Sequence, residues 1–131
     1  MNTALHIRMG STQALTIARY VSIAIVALGI VELLPLLCIL VYPNQQAYAP
    51  HFIFPGLSAM VIGYLLYFAS KQTLSNAGRN QTVPLNSKGA ATCTLMVWLI
   101  GIALYAAPFT LSGLLNPYQA IFEVTSGLTT T

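Results

Sequence analysis

Apolar positions in this chain gather into three long runs rather than repeating with the period of a soluble helix or strand. Tyr20 to Tyr42 is a 23-residue apolar run interrupted by one charge, Glu32. Phe52 to Ser70 is a second, of 19 residues, and Ala90 to Leu115 a third, both without a charged residue. At about 1.5 Å per residue the first reaches roughly 34 Å, enough to cross a hydrocarbon core of about 30 Å. A soluble amphipathic helix would show polar residues at every turn, and none of the runs does. After Gly113 the pattern shortens. Asn116-Pro117 is a helix start, with asparagine as cap and proline in the first helical position. From there to about Thr125 there is room for roughly half the length of a span. Ala120, Ile121 and Val124 fall on one apolar face, with Gln119, Glu123 and Ser126 polar. The pattern predicts an all-α integral membrane protein: three transmembrane helices, a short re-entrant helix over 117–125, and a Gly/Thr segment after it.

Composition agrees with that reading. Only 5% of the 131 residues are charged, against about a quarter in an ordinary soluble domain, so the chain cannot coat a globule with water-compatible surface. The net charge of +3 is spread rather than clustered, which excludes a nucleic-acid footprint. Cys38 and Cys93 each lie within an apolar run and read as buried small hydrophobes, without the spacing of a disulfide framework or a zinc site. No Ser/His/Asp grouping, paired carboxylate or ligand cluster suggests an enzyme.

Cation placement sets an expected topology. His6, Arg8 and Arg19 precede the first span, and Lys71, Arg79 and Lys88 lie between the second and third, whereas Pro43–His51 carries no lysine or arginine. The positive-inside rule then puts the N-terminus and the 71–88 loop in the cytoplasm, and Pro43–His51 and everything after the third span outside. His6 and His51 would sit on opposite sides and share no metal. A cleaved signal peptide ending at Ala47-Tyr48-Ala49 is disfavoured, because the apolar run is too long and Pro50 would follow the cut. Pro35 should bend the first helix, Pro55 fits the first turn of the second, and Pro108 falls where it could kink the third. Trp98, well inside its span, reads as a packing residue. Ala59 and Gly63 form a small-xxx-small pair that permits close helix approach. Glu32, the one ionisable group deep in a span, is a functional candidate whose plainer reading is a hydrogen-bonded packing residue.

The terminal string Ser126-Gly127-Leu128-Thr129-Thr130-Thr131 has its own chemistry. A dehydrated cation needs oxygens to replace its water shell, and extended backbone can aim successive carbonyls at one axis. Gly127 permits the required φ values, and the threonines add hydroxyls and β-branched stiffness. The carboxyl end of the short helix carries a partial negative charge that favours a nearby cation. Glu123 would hold such a loop in shape, or draw cations toward it.

Ala120-Ile121-Phe122-Glu123-Val124-Thr125-Ser126-Gly127-Leu128-Thr129-Thr130-Thr131 resembles the first pore segment of the Trk/Ktr/HKT family of potassium transporters, in its TrkH/KtrB-type membrane subunit. The family pattern is A-x-F-E-x-x-S-G-[FLY]-T-T-T-G. Trp98-Leu99 through Ala107-Pro108-Phe109 resembles the helix before it, and Leu33-Leu34-Pro35-Leu36-Leu37 a motif of the family's first N-terminal helix. The resemblance implies a prokaryotic plasma (inner) membrane subunit built of four helix–pore loop–helix repeats around one potassium path. Residues 1–88 would be an added N-terminal helix pair, and 89–131 the first helix and incomplete pore loop of repeat one. Thr129, Thr130 and Thr131 would then line the selectivity filter, supported by Glu123, Ser126 and Gly127. Potassium would be the transported ion, with no other cofactor in this chain. Expected partners are the lipid bilayer, the remainder of the subunit, a second copy of the full-length protein and a separate cytosolic nucleotide-binding regulatory subunit. These residues supply a quarter of a filter and are not expected to conduct unaided. The alternative expectation is a small three-span accessory or assembly protein that uses its terminal segment for packing.

Overall fold

A computed structural model describes residues 2–76 and 84–130, all helix, turn or coil with no strand among them. Arg79 and Thr131 lie outside the described residues. Helix α1 (Asn2–Glu32) leads through a turn into α2 (Leu36–Val41), then a 3-10 helix (Pro43–Tyr48), α3 (Ala49–Asn76), α4 (Ser87–Leu111) and α5 (Pro117–Thr129). Three segments are long and apolar enough to cross a membrane: Thr12–Ile39, Asn44–Asn76 and Ser87–Leu111. Their flanks carry large exposed apolar side chains, among them Phe54, Tyr64, Leu65, Leu95 and Leu99. Lipid is the solvent suited to such a surface.

Pro35 breaks the first span as the sequence predicts. Lacking an N–H, it cannot continue the i→i−4 ladder. The chain crosses the break on i→i−3 bonds, Leu33 to Ile30, Leu34 to Val31, Leu36 to Leu33 and Leu37 to Leu34, at 3.0–3.1 Å. The second span differs from expectation. Pro43–His51 is not a loop: it winds into the 3-10 helix and the first residues of α3. Pro55 therefore lies inside α3 rather than in its first turn. The helix begins ahead of the apolar run because Ala49 and Pro50 can occupy its first positions, where no intrahelical N–H bond is needed. The third span is shifted toward its start. Asn86 caps α4 by accepting from the Gly89 N–H at 2.7 Å. At the other end Gly113 takes φ +72°, and the Leu115 N–H reaches back to the Phe109 carbonyl at 3.2 Å, so Leu114 and Leu115 leave the helix despite being apolar.

Most tertiary packing is between α1 and α3, which run antiparallel. Their backbones meet at glycine. A Cβ on Gly29 would lie 2.7 Å from the Gly56 carbonyl oxygen, and one on Gly63 would lie 2.9 Å from the Ser22 carbonyl oxygen and 2.7 Å from Val26 Cγ2. Gly63 thus makes the close approach expected of the small-xxx-small pair, with Ala59 buried beside Val21 and Ile25. Helix α4 runs parallel to α1: Gly89 faces Ile17 and Gly101 faces Leu28, an offset of 72 and 73 residues. Buried hydroxyls are satisfied within their own helices, Thr16 on the Thr12 carbonyl at 2.9 Å, Ser22 on Arg19 at 2.7 Å and Ser70 on Leu66 at 2.6 Å.

Gly29→Ala or Gly63→Ala should force α1 and α3 apart and cost about 1–3 kcal/mol. In Gly101→Ala the new methyl would meet Leu28 at an ordinary 3.7 Å. That change should be neutral, or stabilising by up to about 1 kcal/mol. Thermal unfolding of the three variants in one detergent, followed by circular dichroism, measures the contrast.

Candidate functional site

The chain reverses at Gly113–Asn116 and continues as α5, which lies against α4. A capping box starts this helix: the Asn116 side chain accepts from the Gln119 N–H at 2.9 Å, and the Gln119 side chain accepts from the Asn116 N–H at 3.3 Å. Pro117 takes the first helical position. Helix α5 packs back along α4, with Ala120 fully buried. Near its end Leu128 lines a cavity of about 150 Å³ with Leu28, Val97, Trp98, Gly101 and Tyr105. Those α4 residues lie in the middle of the helix, so α5 descends about halfway along it. Trp98, expected to be a packing residue, lines this cavity but stays exposed.

The terminal string differs from the extended segment predicted. Helix α5 continues past Thr125 to Thr129, carrying Ser126 and Gly127 within it. The Thr125 and Thr129 hydroxyls donate to the carbonyls of Ile121 and Thr125 at 2.7 and 2.8 Å. Thr130 takes the left-handed region at φ 57°, with its N–H directed at the Gly127 carbonyl at 3.4 Å. Residues 127–130 are exposed. The helix itself satisfies their backbone groups, as buried or lipid-facing backbone requires. Glu123, Ser126 and Gly127 fall at i, i+3 and i+4 and so share a face. Glu123 is exposed, as are Tyr118, Ile121 and Phe122. Gly127 has no positive φ, and a Cβ there would meet nothing within 4 Å, so the helical state does not call for glycine at this position.

Glu32 is 4% exposed. Leu28 faces Gly101, and one turn further along the parallel pair Glu32 comes level with Tyr105. Among the described residues no hydrogen bond or ion pair engages its carboxyl group. Its carbonyl oxygen is also left out of the turn bonds, because the residue three positions on is Pro35 and the Leu36 N–H binds Leu33. Glu32 thus places its backbone carbonyl and its carboxyl group without protein partners beside the break, where the plainer sequence reading is a hydrogen-bonded packing residue.

Arg19, Lys71 and Lys88 gather at the level where α3 nears its end and α4 begins, and Pro43–His51 and the α4–α5 turn lie at the other end. His6 and His51 are correspondingly far apart along the antiparallel pair. Cys38 is exposed and Cys93 half-buried, both as free thiols. No group of three metal-ligating side chains occurs among the described residues. A contact that sequence reasoning missed joins Arg19 to Tyr67. It spans 48 positions, and no local pattern announces it. Comparison of the chain with protein-family models, curated proteins and solved structures finds no match.

Asn116→Ala should cost α5 about 1 kcal/mol. Hydrogen–deuterium exchange should then show faster exchange of the 119–129 amides, with α1 and α3 unchanged.

Proposed function

We propose that the chain is part of a potassium-uptake subunit of the Trk/Ktr/HKT kind, in which Ser126–Thr131 contributes one quarter of a selectivity filter. The observation that carries the reading is the α4–α5 hairpin. A capped helix too short to span turns back against a spanning helix and brings a Gly/Thr string to mid-bundle depth. Short helices at that depth belong to re-entrant segments, whose following backbone must be buried in protein or line a water-filled path. Gly127 adds to this. Within a helix glycine costs about 1 kcal/mol relative to alanine, and no contact or φ value there compensates. A filter does call for it, since consecutive carbonyls must point one way. Filling that role requires 126–129 to exchange helical bonds for contacts with the rest of the subunit. Glu123, one turn earlier, would hold the unwound segment. The remaining repeats, a second copy and a nucleotide-binding regulator would come from outside these 131 residues.

One observation favours the second reading, an accessory or assembly protein with a packing segment. The terminal string is helical, and Leu128 packs into the α1–α4 cavity. Gly127→Ala separates the two. It leaves helix α5 intact or firmer, because the added methyl meets nothing. Expressed from its complete open reading frame, the wild-type protein should restore growth of a potassium-uptake-deficient bacterium at low potassium, and Gly127→Ala should abolish it. Wild-type failure despite membrane expression overturns the transport reading. Restoration by both proteins overturns the filter role of Gly127.

A further inference from the structure

We propose that Arg19, Tyr67 and Lys71 form a binding site for the phosphate of an anionic lipid headgroup, with Lys88 at the same depth. Two helix registers converge on this level. Contacting residue numbers on α1 and α3 sum to 85–89 (29 with 56 and 60, 33 with 56, 22 and 26 with 63), which sets Lys71 opposite Ala14–Ala18. The α1–α4 offset of 72–73 sets Lys88 beside Leu15–Thr16. Cations from two different helices therefore mark one plane, the expected edge of the hydrocarbon layer.

Arg19 sits about one turn deeper than that plane. It is half-buried, with its guanidinium carbon 5.3 Å from the Tyr67 ring centroid and one N–H donating to the Tyr67 hydroxyl at 3.4 Å. The ring stacks against the cation and fixes its direction. Lys71 follows Tyr67 by four residues, on the same face of α3 and one turn closer to the interface.

Among the described residues no carboxylate lies near the Arg19 charge. The chain holds two acidic residues, Glu32 and Glu123. Glu32 lies thirteen residues further along α1, about 20 Å away. Glu123 is on α5, which packs against the opposite half of α4. A guanidinium presents five N–H donors in a planar fork suited to phosphate oxygens, and only one of them meets Tyr67. Its depth and side-chain length let it reach the headgroup layer, where phosphates are the available anions.

The test uses the whole chain in nanodiscs of phosphatidylcholine, titrated with phosphatidylglycerol and read by native mass spectrometry and thermal unfolding. Wild type should retain phosphatidylglycerol saturably and unfold at higher temperature with it, and inorganic phosphate should give no such shift. Arg19→Gln should weaken retention about fivefold, the effect of one cation near the surface. Arg79→Gln, which removes the same charge at a position eight residues beyond Lys71 in the sequence, should leave retention unchanged. Equal losses in the two variants, no loss in Arg19→Gln, or non-saturating binding by wild type each overturn the site. If Arg19→Gln does not fold, Lys71→Gln carries the comparison with Arg79→Gln under the same criteria.

Discussion

Within the hydrocarbon layer no water is available to complete a hydrogen bond, and this constraint shapes nearly every polar group in the bundle. Thr16, Ser22 and Ser70 are buried hydroxyls, and each bends back to a carbonyl three or four residues earlier. The threonines of α5 do the same. Helices α4 and α5 each begin at an asparagine whose side chain takes up a backbone N–H that no helical partner can reach. Because the polar groups are settled locally, the helices are free to associate through shape, and small residues decide where they do so.

The break at Pro35 is where that local satisfaction fails. The turn supplies i→i−3 bonds for its neighbours, yet Glu32 retains a carbonyl and a carboxyl without partners. The α1–α4 register sets Glu32 level with Tyr105, which lines the cavity that Leu128 of α5 also lines.

The three spans were legible because apolar runs of this length have few other solutions, and the break at Pro35 and the cap at Asn116 because each rests on a single residue's chemistry. Boundaries were less so. Leu114 and Leu115 extend the apolar run, but Gly113 ends the helix before them. Gln45 and Gln46 look like loop residues, yet lie in a 3-10 helix. In the candidate segment, Gly127 and the threonines read as extended backbone, whereas in the structure the i→i−4 pattern continues and the Thr125 and Thr129 hydroxyls bond back to it. Thr131 lies beyond the described residues. The Arg19–Tyr67 contact depends on the register of two antiparallel helices, which no local signal encodes.

The glycine contacts between α1 and α3 differ in what opposes them, and that difference has a genetic consequence. A methyl on Gly56 would strike Leu33 Cδ2 at 2.7 Å, a side chain that a second substitution can shorten, and would also come within 3.1 Å of the Gly29 carbonyl oxygen. A methyl on Gly29 would strike the Gly56 carbonyl oxygen at the same distance, and every residue type carries that oxygen. Defects at position 56 are therefore open to partial suppression at position 33, which removes the nearer of the two obstacles. A shorter side chain at position 60 would relieve the 2.9 Å approach of Met60 Cγ to the same point, but no substitution can remove the backbone obstacle, so the main chain sets the limit on variation at position 29.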